Sequence, residues 1–453
     1  MFPQGQKIDY PFGPAEALRR WPAGRPVVML HSGRLDRRWS RWSLIGEPTG
    51  ALTHTAGRSG WIGDRPDALP TWTGDPFRDL EAVLSADPAW YVGHLGYDLA
   101  RAVERLPSRA ADDHGWPDLQ FQRCPNVLVF DHAEEKWRVL GPEPEALPDL
   151  SSPTPDSDLE FTAGPVRPDR TRAEHEAAVR AALDYIAAGD VFQVNLAHRF
   201  RADFDGSIRG LYLRLADRSP AWYGAYLELL SDVASETRLV TASTSPELFL
   251  ELDGRGGVTT RPIKGTRPAH ADPGELLDSA KDTAELNMII DLLRNDLGRV
   301  CRYGSVRVTQ PRTVESHPTV HHGVATVHGT LHRERSLRHL LRATFPGGSI
   351  TGAPKVRAME VIDELEPVRR GPYCGAVGWL RGACVSEGGH AVGTLSVAIR
   401  TLLIDRDAGR VGFSVGGGIV ADSDPAAEYD ETLDKAAALR AALGDGAGHQ
   451  IHA

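Results

Sequence analysis

"AVGTLSVAIRTLLIDRDAGRVGFSVGGGIVADSDPAAEYDETLDKAAALRAAL" runs from Ala391 to Leu443. Its first two apolar stretches, "AVGTLSVAIRTLLID" and "RVGFSVGGGIV", read as strands. The remainder reads as a closing helix, with Asp424 as cap and Pro425 behind it. Strand follows strand before a helix comes, which is not the strict alternation of a parallel sheet. The pattern predicts an α+β fold, with helices laid on large antiparallel sheets.

The same mixture extends toward the N-terminus. "TAELNMIIDLLRNDLGRV" (Thr283–Val300) is a strong helix, because Leu286, Ile289, Ile290, Leu293 and Leu297 fall at helical spacing. "GAPKVRAMEVIDELEP" is another, with Pro354 suited to its first turn. "VFQVNLAHRF", "TASTSPELFLEL" and "GVTTRPIKGTR" read as strands with turns. Thr171 and Glu174 form a capping box ahead of the stripe Val179, Leu183, Ile186, and Gly189 ends that helix. Residues 142–170 are rich in Pro, Asp and Ser and read as a connector. They divide an N-terminal region, 1–145, from a second region, 170–445. In the first, "PVVMLHSG", "AWYVGHLGYDLARAVERLP" and "NVLVFDH" supply strands and one short helix.

Composition excludes several functions. The net charge of −10 is a poor basis for binding nucleic acid or an anionic membrane. An anionic ligand would therefore need a local cluster of positive groups or a metal. No pair among Cys124, Cys301, Cys374 and Cys384 has C-x-x-C spacing, which favours reduced thiols over a disulfide framework or a zinc site. No stretch has the length of a membrane span, and the opening residues lack the apolar core of a secretory signal. A soluble cytoplasmic protein is expected.

Four places could carry chemistry. On the closing helix Glu428, Glu431 and Lys435 share one face, which is equally the pattern of a solvated face with a Glu–Lys pair. The glycines ahead of it would let backbone N–H groups approach an anion. On the central helix, Asp282 and Glu285 are expected in the first turn, where the helix dipole alone would favour them. Carboxylates from two helices, with no His or Cys in the set, suit a hard divalent cation such as Mg²⁺. "FPGGSITGAPK" has the glycine spacing of a phosphate loop, but Ala353 stands where that motif needs lysine. Arg400, read inside an apolar strand, needs a carboxylate partner, either a ligand's or the protein's own. Lys264 is fenced by prolines and glycine in "RPIKGTRP". Buried near other cations, its neutral amine would become a nucleophile or base; otherwise it is an exposed lysine or an electrostatic anchor.

Together these stretches resemble the chorismate-utilising enzymes, which include anthranilate synthase component I, aminodeoxychorismate synthase component I, isochorismate synthase and salicylate synthase. The matching pieces are "FQVNLAHRF", "STSPELFL", "RPIKGT", "SAKDTAELNMIIDLLRNDLGRV", "VHHGVATVHGTL", "FPGGSITGAPKVRAMEVIDELEP", "GPYCGAVGWL", "VAIRT" and "GGGIVADSDPAAEYDETLDK", with "GHLGYDLARAVERLP" in the first region. The resemblance is dense from Asp190 to Leu443. Isochorismate and salicylate synthases carry a water-activating lysine where this chain has Gln193. Anthranilate synthases, the nearest rival, have a small residue where this chain has Lys264, and a lysine there marks the aminodeoxychorismate synthase branch.

The resemblance implies one intertwined α/β sandwich of two large antiparallel sheets with outer helices, the connector being a surface excursion. It implies Mg²⁺ held by Glu285 and Glu431, with Glu428 nearby. Arg400, Lys435 and the backbone of Gly416 and Gly417 would grip the carboxylates of chorismate, helped by Thr266, Ser349 and Thr351. Lys264 would attack ring carbon C2, Glu247 would protonate the departing C4 hydroxyl, and His322 and Tyr373 would position the ring. Ammonia from a separate glutamine amidotransferase subunit would then give 4-amino-4-deoxychorismate, toward 4-aminobenzoate and folate. Two departures stand out. Thr394 replaces an aspartate usual before "VAIRT". Ser32, Arg41, Trp42 and Ser43 fit in outline a tryptophan pocket of some relatives, whereas Trp222 stands where a proline is usual.

Overall fold

The computed structural model describes residues 5–152, 155–232, 238–316, 320–382 and 389–444. Among them, strands gather into a 13-stranded and an 11-stranded sheet, and the strand pairings in both are antiparallel. Both sheets draw on both sides of the connector. The larger takes Val28–His31, Trp42–Gly46 and Val127–Asp131 from the first region and Gln193–Gly206, Leu239–Ser245, Thr401–Asp405 and Arg410–Ile419 from the second. The smaller takes Gly50–Thr55, Trp90–Leu95 and Leu119–Cys124, then Leu248–Asp253, Ile263–Pro268, Val320–Thr330 and Val392–Val397. The fold is α+β.

Alternation explains the layering. Val28, Leu44, Val129 and Leu227 of the larger sheet meet Trp90, Val92 and Val377 of the smaller in one buried cluster. Each such side chain contributes roughly 1.5–3 kcal/mol on burial. The outer face of the larger sheet is covered by Pro14–Arg20, Ile208–Arg218 and the closing helix Pro425–Ala442, through Leu18, Leu211, Leu215 and Leu439. The central helix lies on the smaller sheet, with Leu286, Ile290 and Leu297 clustered with Ala325 and Val327 of the Val320–Thr330 strand. No helix among the described residues is long and apolar enough to cross a membrane.

Several expectations need correction. "AVGTLSVAIRTLLID" is not one strand. Val392–Val397 belongs to the smaller sheet and Thr401–Asp405 to the larger, so the chain crosses between sheets at Ala398–Arg400. Arg400 takes a left-handed φ of 51° at that corner. "TASTSPELFLEL" likewise splits at Pro246 and Glu247. Apolar alternation reads the same in either sheet, so nothing in the pattern marks a crossing.

The central helix begins at Ala280, with the Ser279 side chain accepting from the Asp282 N–H. Glu285 is thus in the second turn, beyond the strongest reach of the helix dipole. Polar residues fill the first turn, so apolar spacing could not announce it. Pro354 is the cap of the Lys355–Leu365 helix rather than its first residue. Part of the connector is ordered as well: Phe161–Ala163 pairs with Phe204–Gly206 at a sheet edge, and Phe161 stacks on Phe204 at 5.7 Å. The capping box at Thr171, the Asp424 cap and the buried central stripe are as expected. Cys384 lies outside the described residues.

Candidate active site

The two sheet crossings lie side by side. Val397 N–H donates to the Glu247 carbonyl (3.0 Å), Thr244 N–H to the Arg400 carbonyl (3.0 Å), and Ser245 Oγ to the Val397 carbonyl (2.6 Å). These bonds place the Glu247 and Arg400 side chains in one neighbourhood. Both are electrostatically coupled, and burial holds the Arg400 guanidinium below its ordinary pKa against the pull of Glu247. Burial raises the Glu247 pKa, while the Ser349 hydroxyl, Lys264 and the Ile263 N–H pull it back. Arg400 thus feels the charge of Glu247 but forms no ion pair with a carboxylate among the described residues.

Arg400 also donates to His322 Nε2 at 3.4 Å. A guanidinium only donates, so Nε2 accepts and His322 carries its proton on Nδ1. That proton points at Thr266 Oγ1, 2.9 Å away. Thr266 and His322 face each other because Ile263–Pro268 pairs in register with Val320–Thr330. The same strand carries Lys264 between Pro262 and Gly265.

Lys264 is half-buried, and its Nζ donates to the Ser349 carbonyl at 3.2 Å. Among the described residues no carboxylate stands within salt-bridge reach of it. Burial is the main cause that lowers its pKa; Glu285, Glu247 and Glu431 oppose this and Lys435 reinforces it. The arginines that flank it in sequence are occupied elsewhere. Arg267 pairs with Asp282 at 2.8 Å, and Arg261 pairs with Glu315 and lies over the Trp39 ring. The relevant cation comes from the closing helix, 171 positions away in sequence.

The glycine run forms the opposing wall. Ser414–Ile419 is paired on one edge with Val194–Arg199, while Thr401–Asp405 pairs with the Arg410–Ile419 strand only as far as Phe413. A Cβ on Gly417 would lie 2.9 Å from Glu428 Oε2 and 3.9 Å from Glu431 Oε1 and Lys435 Nζ. A Cβ on Gly418 would lie 2.1 Å from Gln193 Nε2 and 3.6 Å from Lys264 Nζ. Gly418 is therefore an additional member of the site, crowded by the Gln193 side chain that the sequence had already singled out. Its place as the third glycine of the run was its signal in sequence. Gly416 offers its carbonyl to Lys435 Nζ at 2.8 Å.

The glutamates differ in setting. Glu428 is buried and accepts from Ser423 Oγ at 2.6 Å; burial raises its pKa, and Glu431 adds to the rise. Ser423 escaped the sequence reading, although it stands directly before the helix cap. Glu431 keeps about half of its side chain in solvent; its partial desolvation would raise the pKa, but the pair with Lys435 at 2.7 Å prevails and lowers it. Glu285 is half-buried, with a pKa raised by burial and by its acidic neighbours. No three carboxylates among the described residues form a closed metal cage. The set is nonetheless oxygen-only and like-charged, and Gly417 leaves room beside it. That suits an ion that keeps waters and takes one or two protein carboxylates.

The remaining positions are more structural. Ser349 serves through both its groups, as described for Glu247 and Lys264. Thr351 Oγ1 donates to the Gly347 carbonyl at 3.0 Å, stiffening the glycine-rich loop. Lys355 of that loop is tied to Asp296 at 2.5 Å, so it is not a phosphate-binding lysine. Tyr373 is buried beside Cys374, Arg370 and Glu366; Cys374 N–H bonds the Ala398 carbonyl, next to the Arg400 crossing. Ser32 and Arg41 line a separate cavity between the sheets with Trp42 and Trp222.

A family model described as chorismate binding enzyme matches residues 36–441. The chain belongs to the chorismate-binding enzymes. It is 39% identical over 433 residues to the aminodeoxychorismate synthase component 1 of Escherichia coli, covering 90% of this chain and 91% of that protein. It is 40% identical over 462 residues to the anthranilate synthase component 1 of Thermus thermophilus, covering 95% of each. The anthranilate synthase component I structure from Streptococcus pneumoniae superposes with a TM-score of 0.75 at 31% identity, over 90% of this chain and 94% of that one. A menaquinone-specific isochorismate synthase from Escherichia coli, at 17% identity and a TM-score of 0.70, shares the fold. Overall identity thus does not separate the relatives named aminodeoxychorismate synthase from those named anthranilate synthase.

Proposed function

We propose that this chorismate-binding enzyme is an aminodeoxychorismate synthase component I, converting chorismate and ammonia into 4-amino-4-deoxychorismate. The observation that carries the reading is Lys264: an amine with lowered pKa, in no ion pair among the described residues, 3.6 Å from the point a Gly418 Cβ would occupy. A lysine released from carboxylates and desolvated is available as a neutral nucleophile. Its amine attacks C2 of chorismate as the C4–oxygen bond breaks. Glu247, its pKa raised, delivers a proton so that the hydroxyl leaves as water. Ammonia then bonds to C4 while the C2–nitrogen bond breaks, returning the lysine. One hard substitution becomes two easier ones.

Arg400 and Lys435 supply positive charge for the substrate carboxylates, with the open edge at Gly416 and Gly417 beside them. His322, Thr266, Ser349, Thr351 and Tyr373 hold the walls. Glu285, Glu428 and Glu431 would hold Mg²⁺, which when bound neutralises substrate carboxylate charge. A glutamine amidotransferase partner would supply ammonia, the relatives being named component 1. The 40% identity to an anthranilate synthase component 1 favours a second reading, in which the same site yields anthranilate. Mass spectrometry of products from chorismate, Mg²⁺ and ammonium separates the two. Intact-protein mass without ammonium should reveal an adduct on Lys264, and its absence would defeat the covalent route.

A further inference from the structure

Beneath the closing helix lies a buried aromatic cluster that the proposed chemistry does not use. His198, 4% exposed on the Gln193–Gly206 strand, has its ring centre 4.6 Å from the His175 ring and 5.5 Å from the Tyr429 ring, tilted against both. Its Nε2 lies 2.9 Å from Thr432 Oγ1. The Thr432 hydroxyl proton is already donated to the Tyr429 carbonyl at 2.6 Å. Thr432 Oγ1 must therefore accept, and His198 carries its proton on Nε2. Its Nδ1 is then a bare acceptor, buried without a hydrogen-bond partner among the described residues. An apolar ring would fill this space beside Phe200 and Tyr429 without such an orphan. Of its two ring nitrogens only Nε2 has a hydrogen-bond partner among the described residues, Thr432 Oγ1.

Thr432 follows Glu431 directly and lies one turn after Glu428. On the outer side, the helix is held by an Arg172–Asp430 ion pair, exposed to solvent and screening, and by Arg172 over the buried Tyr429 ring at 4.6 Å. We infer that His198 is a positioning residue: through Thr432 it sets the rotation of the closing helix so that Glu428 and Glu431 face the gap beside Gly417. The inference rests on the reading of those glutamates as cation ligands. Partners behind metal ligands commonly govern affinity by about 10–100-fold.

The test uses the full chain, with Mg²⁺ binding measured calorimetrically without substrate and the half-saturating Mg²⁺ concentration measured in turnover. His198→Phe and Thr432→Val should each raise the dissociation constant by about 10-fold. The double variant should be no worse than either, since both remove one bond. His198→Gln and Thr432→Ser, which keep donor and acceptor, should restore binding. Unchanged binding in a folded His198→Phe or Thr432→Val protein, or additive losses in the double variant, overturns the inference. Glu431→Gln is the control. If it leaves Mg²⁺ binding untouched, the carboxylate assignment itself falls; if it weakens binding while Thr432→Val does not, only the role of His198 falls.

Discussion

Two lysines of this chain sit in similar local sequence. Lys264 follows "RPI" and precedes glycine; Lys355 follows "TGAP". Both are largely withdrawn from solvent, and burial lowers the pKa of both. Their tertiary partners separate them. Lys355 is clamped by the Asp296 carboxylate at 2.5 Å and the Thr344 carbonyl, while burial pushes Asp296 in the opposite direction, upward. Lys264 has a single carbonyl at 3.2 Å and carboxylates beyond salt-bridge reach. A tight buried pair locks charge in place. A desolvated amine without a pair keeps its lone pair for chemistry.

The largest expected effect falls on Lys264. Lys264→Ala should abolish aminodeoxychorismate formation, or divert the site toward anthranilate, as followed by product mass and anthranilate fluorescence; undiminished turnover would erase the distinction drawn between the lysines. Lys355→Met should instead act on stability. It strands a buried carboxylate and should cost about 3–5 kcal/mol in urea unfolding, with the Asp296→Asn, Lys355→Met double variant recovering part of the loss. Glu285→Gln should shift the Mg²⁺ titration of activity to higher concentration, because a neutral amide ligates a hard cation less well; an unmoved titration would remove Glu285 from the metal set.

Smaller effects sharpen the contrast. Gly418→Ala places a carbon against Gln193 and close to Lys264 Nζ. It should lower kcat by about 10-fold with the melting temperature little changed, since displacement of about 1 Å at a site is enough for losses of that order or more. The smallest effect is in pH. Because burial lowers the Lys264 pKa, its neutral fraction grows as pH rises, with a midpoint below the ordinary lysine value of about 10.4. Adduct formation in rapid-quench experiments should follow that limb, and an amine-reactive label should modify Lys264 ahead of Lys355. Equal labelling of the two would contradict the difference in their partners.

Much of this was legible from residues alone. The central helix announces itself because its five apolar positions recur on one face and all five are buried. Caps at Thr171 and Asp424 are local hydrogen bonds, so local sequence suffices to find them. The family motifs named the residues that the structure gathers: Glu247, Lys264, His322 and Arg400 meet through short contacts or direct electrostatic coupling. Other features were hidden. The crossings at Glu247 and Arg400 were invisible because alternation does not say which sheet a strand joins. Gly418 matters through neighbours distant in sequence, Lys264 and Gln193, and Ser423 through a hydroxyl aimed forward at Glu428, which no capping pattern marks.

Residue order determined the α+β class, the helices and their caps, and the inventory of nucleophile, acids and cations, because periodicity, capping and side-chain chemistry are short-range properties. Tertiary structure decided which cation each acid meets. It turned Arg261 and Arg267 away from Lys264, brought Lys435 toward it, and left its amine unpaired while pairing that of Lys355. Electrostatic coupling depends on distance and burial, and both arise only once strands from across the chain are laid edge to edge.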